Sequence, residues 1–185
     1  MARFNHFEDA VDFSFWKEIC EKQGTRFYFK RGDFFVHAGH VLKQVGWIVS
    51  GSFKHSLIDS AGNHKAVGFV FEEAVLANYL SVMLGKNMPT DIIALEDSEV
   101  LVVPVEIMRN HMEHALELNL QFAQALFDQA YTHILNDYCY SPEERYHQLI
   151  KRYPRILNLV SVSEIASYLN ISRRQLHRIR EVRTK

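Results

Sequence analysis

"SEIASYLNISRRQLHRIR", Ser163 to Arg180, together with the two residues before it, contains two helix starts and the means of packing one helix on the other. Ser161 with Glu164, and Ser172 with Gln175, each have the spacing of a capping box. In that motif the hydroxyl takes a backbone N–H three residues on, and the residue there reaches back. Ile165, Ala166 and Leu169 fall on one side of the first helix, Leu176 and Ile179 on one side of the second, and Ile171 lies in the connection between them. Asn170 stands at the turn and is one of the few non-glycine residues that tolerate a left-handed backbone. Ala166 is small where two helices must cross closely. These features predict a helix-turn-helix whose second helix keeps its outer side free.

That outer side carries Arg173, Arg174, Gln175, His177 and Arg178, with no acidic residue between Glu164 and Glu181. An ordinary solvated helix would interleave acids with its bases. Arginine and glutamine pair bidentately with guanine and adenine edges in the major groove, while capping serines and nearby amides suit phosphate contacts. The expected DNA-binding set is therefore Ser161, Ser172, Arg173, Arg174, Gln175, His177 and Arg178.

Charge along the chain agrees with this. The formal net charge is −1, yet from Arg145 onward ten cationic residues face only Glu164 and Glu181, a net of +8 against −9 for the remainder. An acidic body with a basic end suits a protein whose C-terminal part meets a polyanion. The 185 residues, 48% hydrophobic, suffice for one medium domain and an appendage. Acidic and basic residues (Asp9, Asp12, Lys17, Glu18) interrupt the first 23 positions, so no signal-peptide core is expected, and nothing approaches the ~20 apolar residues of a membrane span. A cytoplasmic protein with no membrane partner is the expectation. Cys20 and Cys139 lie far apart with no metal-ligand spacing, which argues against a cysteine-held cluster or zinc site.

Between the ends, the texture changes twice. Phe4, Phe7, Val11, Phe15 and Ile19 predict one helix from Met1 to about Gln23. From Thr25 to Pro104, short apolar runs ("RFYF", "GWIV", "AVGFVF", "EVLVV") alternate with turn signals ("KRGD", "HAGH", "VSGS", "DSAGN", "EDS"), which predicts a β-sandwich or jelly-roll barrel. "VLANYLSVMLGKN" interrupts it with a short helix closed by Gly85. Beyond Pro104, Met112, Leu116, Leu120, Ala123, Phe127, Ala130 and Ile134 step by an average near 3.5 residues, the seam of a coiled coil. Two copies would bury this stripe against each other, so Leu116, Leu120, Ala123, Phe127, Ala130 and Ile134 form the expected dimer interface. Ser141 and Pro142 then start another helix, which Pro154 ends.

Taken together, "KRGDFFVHAGHVLKQVGWIVSGSFK", "ALEDSEVLVVP", the long helix, "SPEERYHQLIKRYPRIL" and "IASYLNISRRQLHRIR" resemble the Crp/Fnr superfamily of bacterial transcription regulators. The resemblance implies an α+β chain of three parts. Residues 1–112 would be a cyclic-nucleotide-binding-like β-roll (jelly-roll) with an N-terminal helix, 113–139 a dimerisation helix, and 140–185 a helix-turn-helix domain. It also implies Arg173, Arg174 and Arg178 as base readers, a homodimer on double-stranded DNA, and RNA polymerase as a further partner. Two departures from the family pattern stand out. Where cyclic-nucleotide-binding members carry Gly-Glu and Arg-Ser or Arg-Thr, this chain has Ala77-Asn78 and Met88-Pro89, so a cyclic phosphate would lack its arginine; Lys86 is the nearby cation. The expected effector pocket, lined by Phe71, Leu76, Ala77, Asn78, Tyr79, Lys86 and Met88, would suit an apolar ligand or none, and no cofactor is expected. The chain also stops at Lys185, where family members often continue into a β-hairpin wing.

A metal-dependent enzyme is the alternative class. His37, His40, His55 and His64 lie in the β region, as they would in a metal-dependent cupin-like enzyme. His37 and His40, three apart on a strand–turn, point to opposite sides, and no neighbouring carboxylate in the sequence completes a two-histidine, one-carboxylate set. No nucleophile elbow, phosphate loop or dinucleotide fingerprint occurs. A metal site and catalysis are therefore not expected.

Overall fold

A computed structural model describes residues 3–181 and shows a β-roll followed by helices. Its strands are β1 (Thr25–Phe29), β2 (Phe34–Val36), β3 (Gln44–Ser50), β4 (Phe53–Ile58), β5 (His64–Val70), β6 (Val75–Leu76), β7 (Asp91–Ala94) and β8 (Ser98–Pro104). They form two antiparallel four-stranded sheets, ordered β1-β8-β3-β6 and β2-β7-β4-β5. The "VSGS" signal works through Gly51, whose φ is +95° and whose hypothetical Cβ would lie 2.1 Å from Ser98 Oγ. Only a residue without a side chain lets the β3–β4 turn pass over β8 there.

Apolar side chains fill the space between the sheets. Phe29 meets Phe53 with ring centroids 5.6 Å apart, and Phe35, Ile48, Phe53, Leu76, Met88, Ile92 and Val100 are buried in one cluster. Short α3 (Tyr79–Leu84) starts where Asn78 caps Ser81 and ends at Gly85 in the left-handed region, as "VLANYLSVMLGKN" predicts.

Two expected helices are each divided. In place of one N-terminal helix there are α1 (Phe7–Ala10) and α2 (Ser14–Gln23); Met1 and Ala2 lie outside the described residues. The break follows from Asp12, whose carboxylate accepts the Ser14 N–H at 2.8 Å and its hydroxyl at 2.9 Å, a local pattern that competes with helix bonding. The second division falls at Ala115 (φ −109°, ψ 63°), between α4 (Val105–His114) and α5 (Leu116–Cys139). Met112, first residue of the predicted stripe, accordingly lies on α4, 1% exposed in the roll's apolar cluster. The stripe that remains outside begins at Leu116. Among the described residues, no helix is long and apolar enough to cross a membrane.

His55 on β4 faces Thr90, its Nδ1 2.9 Å from Thr90 Oγ1, and burial lowers its pKa to about 4. The folded value lies below the ordinary 6.5, so this group's contribution is complete above that value and is lost as pH falls from there toward 4, because only the unfolded chain takes up the proton. Chemical denaturation should therefore show roughly 2 kcal/mol less stability at the bottom of that window than at neutral pH, a figure discounted for the ring's residual exposure. His55→Gln should flatten the dependence. His6, lowered first by burial and then by Arg152, adds in the same direction.

Candidate nucleic-acid interface

The C-terminal helices follow α5 through a strong start. Ser141 and Glu144 form a complete capping box ahead of α6 (Pro142–Arg152), with Pro142 in the first turn. After α7 (Ile156–Leu159), Ser161 and Glu164 form a second complete box at α8 (Val162–Tyr168). The third serine, Ser172, accepts the Gln175 N–H at 3.1 Å and opens α9 (Arg173–Glu181). Each such cap is worth about 1 kcal/mol. Asn170 holds φ +52° in the α8–α9 turn, and the Ile171 N–H donates to Ala166 O at 3.0 Å, which closes the end of α8.

The seam between the two helices is apolar. Ile165, Ala166, Leu169, Leu176 and Ile179 are all buried, joined by Tyr146, Ile156 and Val160 from the preceding helices and by part-buried Ile171. One flank of α9 is thereby fixed against α8. The opposite flank is exposed at Ser172, Arg173, Arg174, Gln175, His177 and Arg178, and Ser161 is exposed at the start of α8. Among the described residues, no acidic group forms an ion pair with Arg173, Arg174 or Arg178. Several other bases of the C-terminal part are engaged inside the chain: Arg145 with Asp137, Arg152 with Asp9 at 2.6 Å, and Arg155 with Glu72 at 2.8 Å. The cationic surface left for an anionic partner is thus narrower than the charge count suggested and is centred on α9. Arg183 and Lys185, which that count included, lie outside the described residues, as does the end of the chain where a wing would follow.

A second set of contacts, which sequence reasoning missed, seats the helix-turn-helix on the roll. The Ala66 N–H of β5 donates to Ser167 Oγ at 2.9 Å, and Lys54 of β4 lies 2.7 Å from Glu164. Phe4 is wedged between the two parts, its ring centroid 5.3 Å from Phe71, 5.7 Å from Tyr153 and 5.6 Å from Tyr168. Arg152 clamps the same segment, donating to Phe4 O at 3.0 Å and Asn5 O at 3.2 Å. The sequence places Phe4 in a helix stripe and counts Arg152 only among the cationic residues after Arg145, and the pairing of residues about 150 positions apart leaves no local mark. The one available signal was "AVGFVF", apolar on both faces of a strand where a one-sided sheet would alternate.

The residues of the expected effector pocket are divided among different surroundings. Leu76 and Met88 are buried in the filled interior of the roll, and Lys86 is exposed. The Asn78 side chain is occupied as the α3 cap. Tyr79 turns toward α5, its hydroxyl donating to Asn119 Oδ1 at 2.5 Å and its ring stacked on Phe122. Ala77 lines the same side as Tyr79. Phe71 packs in the second cluster with Phe4 and Tyr153. The reason is strand alternation: Val70 points into the roll, so Phe69 and Phe71 point out.

Of the four histidines the fold brings His37 and His40 together, against the expectation that they point to opposite sides, while His55 faces Thr90 and His64 stands at the start of β5. His37 and His40 have ring centroids 5.6 Å apart, and the fold brings a carboxylate the sequence did not suggest, Asp91, to 3.6 Å from His37 Nδ1. That oxygen accepts the Ala38 N–H, and His37 stacks on Phe34. Among the described residues, no group of three or more His, Cys, Asp or Glu is arranged to hold a metal.

Burial pushes the Glu164 carboxyl up, but bonds from Lys54 and Ser161 outweigh it, so its pKa is lowered. A lowered folded value means the contribution is full above the unfolded value and disappears as pH falls through the folded one. Lys54→Met should cost about 1–2 kcal/mol at neutral pH, because Glu164 loses its partner at a part-buried position. The cost measured by denaturation should shrink on acidification below the usual carboxylate range.

Residues 26–115 match the cyclic nucleotide-binding domain family. Among solved structures, FixK2 from Bradyrhizobium japonicum superposes with a TM-score of 0.67 at 19% identity, over 85% of this chain and 83% of its own. The c-di-GMP responsive global regulator CLP of Xanthomonas campestris gives 0.68 at 11%, over 94% and 92%. The Thermus thermophilus catabolite activator protein gives 0.56 at 14%, over 90% and 81%. No curated protein matches the sequence.

Proposed function

From a chain with the fold of the Crp/Fnr regulators, carrying a cyclic nucleotide-binding domain at residues 26–115, we propose a sequence-specific DNA-binding transcriptional regulator that acts as a homodimer in the cytoplasm. In this reading residues 1–112 are the sensor-like roll, 113–139 the dimerisation helix and 140–185 the reading head. α9 enters the major groove, RNA polymerase is a further partner, and no catalysis is involved.

The observation that carries the reading is the outward row of Arg173, Arg174, Gln175, His177 and Arg178 on a helix whose other flank is clamped by Leu176 and Ile179. A rigid cationic flank of this kind presents bidentate donors to base edges without first having to be ordered. Dimerisation is supported by the stripe on α5. Leu116, Leu120, Phe127 and Ile134 are 73%, 58%, 70% and 53% exposed in the single chain, with Ala130 exposed and Ala123 part-buried on the same helix. So much apolar area along one helix is what a second copy would cover, at about 1.5–3 kcal/mol for each large side chain fully buried. The unconverged pocket residues and the Asn78 cap support a roll that does not bind cyclic nucleotide.

Selection of bound duplexes from a random pool should return a near-palindrome with half-sites about one helical turn, ~34 Å, apart. On that site Arg178→Ala should cost about 1–3 kcal/mol and relax preference at one base pair. Uniform weakening on all sequences would make Arg178 a phosphate contact instead. Affinity should fall steeply with salt through counterion release. Phe127→Asp should convert dimer to monomer in sedimentation measurements and abolish tight operator binding; a wild-type chain that sediments as a monomer at working concentration would overturn the dimer.

A further inference from the structure

A cavity of about 70 Å³ lies outside the roll, between its shoulder and the helices, where it is bounded by Phe7, Phe13, Trp16, Ala77, Tyr79 and Phe122 among others. Strand alternation separates it from the space between the sheets. Val75 and Ala77 face the cavity, while Leu76 between them is fully buried in the opposite direction. Its volume is several times the roughly 10–15 Å³ that one water requires.

The polar groups around it are few and mostly engaged. The Tyr79 hydroxyl is bonded to Asn119, and the Glu8 carboxylate accepts the Asn5 side-chain amide at 2.9 Å. Trp16 differs: it is 3% exposed, and its indole N–H has no hydrogen-bond partner among the described residues. A buried donor left unmade costs about 1–3 kcal/mol, and such groups call for an explanation. Several waters would be held poorly here, because each needs two to four polar partners and, of the lining side chains, Trp16 is the one with an unpartnered buried donor. A largely apolar body with one acceptor fits both features. The surroundings favour neutral groups: burial raises the pKa of the Glu8 carboxyl, and an ion of either sign entering the same largely apolar wall would meet the same desolvation cost.

We propose that this cavity is a binding site for a small neutral, mainly apolar molecule bearing a carbonyl-type acceptor, which takes the Trp16 indole N–H. The site lies apart from the predicted effector pocket and shares only Ala77 and Tyr79 with it. Phe122 and Leu126 of α5 form part of its wall, so an occupant touches the same helix that carries the exposed stripe.

The test uses the full chain with Trp47→Phe, which leaves Trp16 as the sole indole. Butan-2-one is titrated while Trp16 emission is followed, with propanoate and butylammonium as charged probes of similar size. A saturable shift with butan-2-one, and binding roughly tenfold or more weaker for both ions, is the expected result. Ala77→Leu, which fills the cavity, should abolish the response while the cooperative melt is retained. In the otherwise native chain, Trp16→Phe should weaken butan-2-one binding roughly tenfold by ligand-detected magnetic resonance. A response that never saturates, or one unchanged by Ala77→Leu, would overturn the proposal, and the latter decides the matter even if Trp16→Phe fails to fold. No DNA is present in the assay, so failure of the site and failure of the DNA-binding reading are distinguished.

Discussion

The outer side of β5 near its end cannot stay wet. Phe69 and Phe71 project away from the roll interior, and with Ala66 and Leu95 they form an apolar surface that the two sheets have no means of covering themselves. Phe4 covers it first, then Tyr153 and Tyr168, and with those residues come α7 and α8. Non-directional burial of this kind supplies most of the attraction, while Lys54–Glu164 and Ser167–Ala66 fix the angle at which the helices sit. The position of α9 follows, because α8 and α9 share a single seam. The direction in which Arg173, Arg174 and Arg178 point is therefore set by two phenylalanines, Phe69 on β5 and Phe71 just past its end, about a hundred residues earlier.

What was legible in the sequence was local. The N-cap at Ser141, the capping box at Ser161, the left-handed Asn170, the closing Gly85 and the alternation of the strands are each written within a few residues and appear where the spacing puts them, whereas the box expected at Ser172 shows only the bond from the Gln175 N–H. Errors arose where a local pattern met a non-local demand. The stripe from Phe4 to Ile19 has helical period, yet Asp12 turns the chain and frees Phe4 to reach the C-terminal helices. Met112 continues the α5 stripe in sequence, but the break at Ala115 leaves it in the roll. Phe71 is expected in the effector pocket, whereas the alternation that β5 carries to its end sends it the other way, into the second cluster.

The same distinction applies to the candidate sites. The helix-turn-helix could be read because its packing and its exposed row lie within about twenty consecutive residues. The effector region could not, because a pocket is made from several strands and a helix, and its fate depends on which side each residue takes. Asn78 is an example: its side-chain carbonyl accepts from the Ser81 N–H and hydroxyl and so serves the first turn of α3. The hydrogen bonds that hold the short helix are then satisfied without any ligand.

Phe4 and Arg152 are joined across 148 positions. During synthesis the aromatic plug leaves the ribosome well before the groups that enclose it. The roll, whose strands lie within the first 104 residues, can close in the meantime with the underside of β5 still bare. The C-terminal helices are thus met by a finished platform with its socket half assembled, and their docking follows closure of the roll.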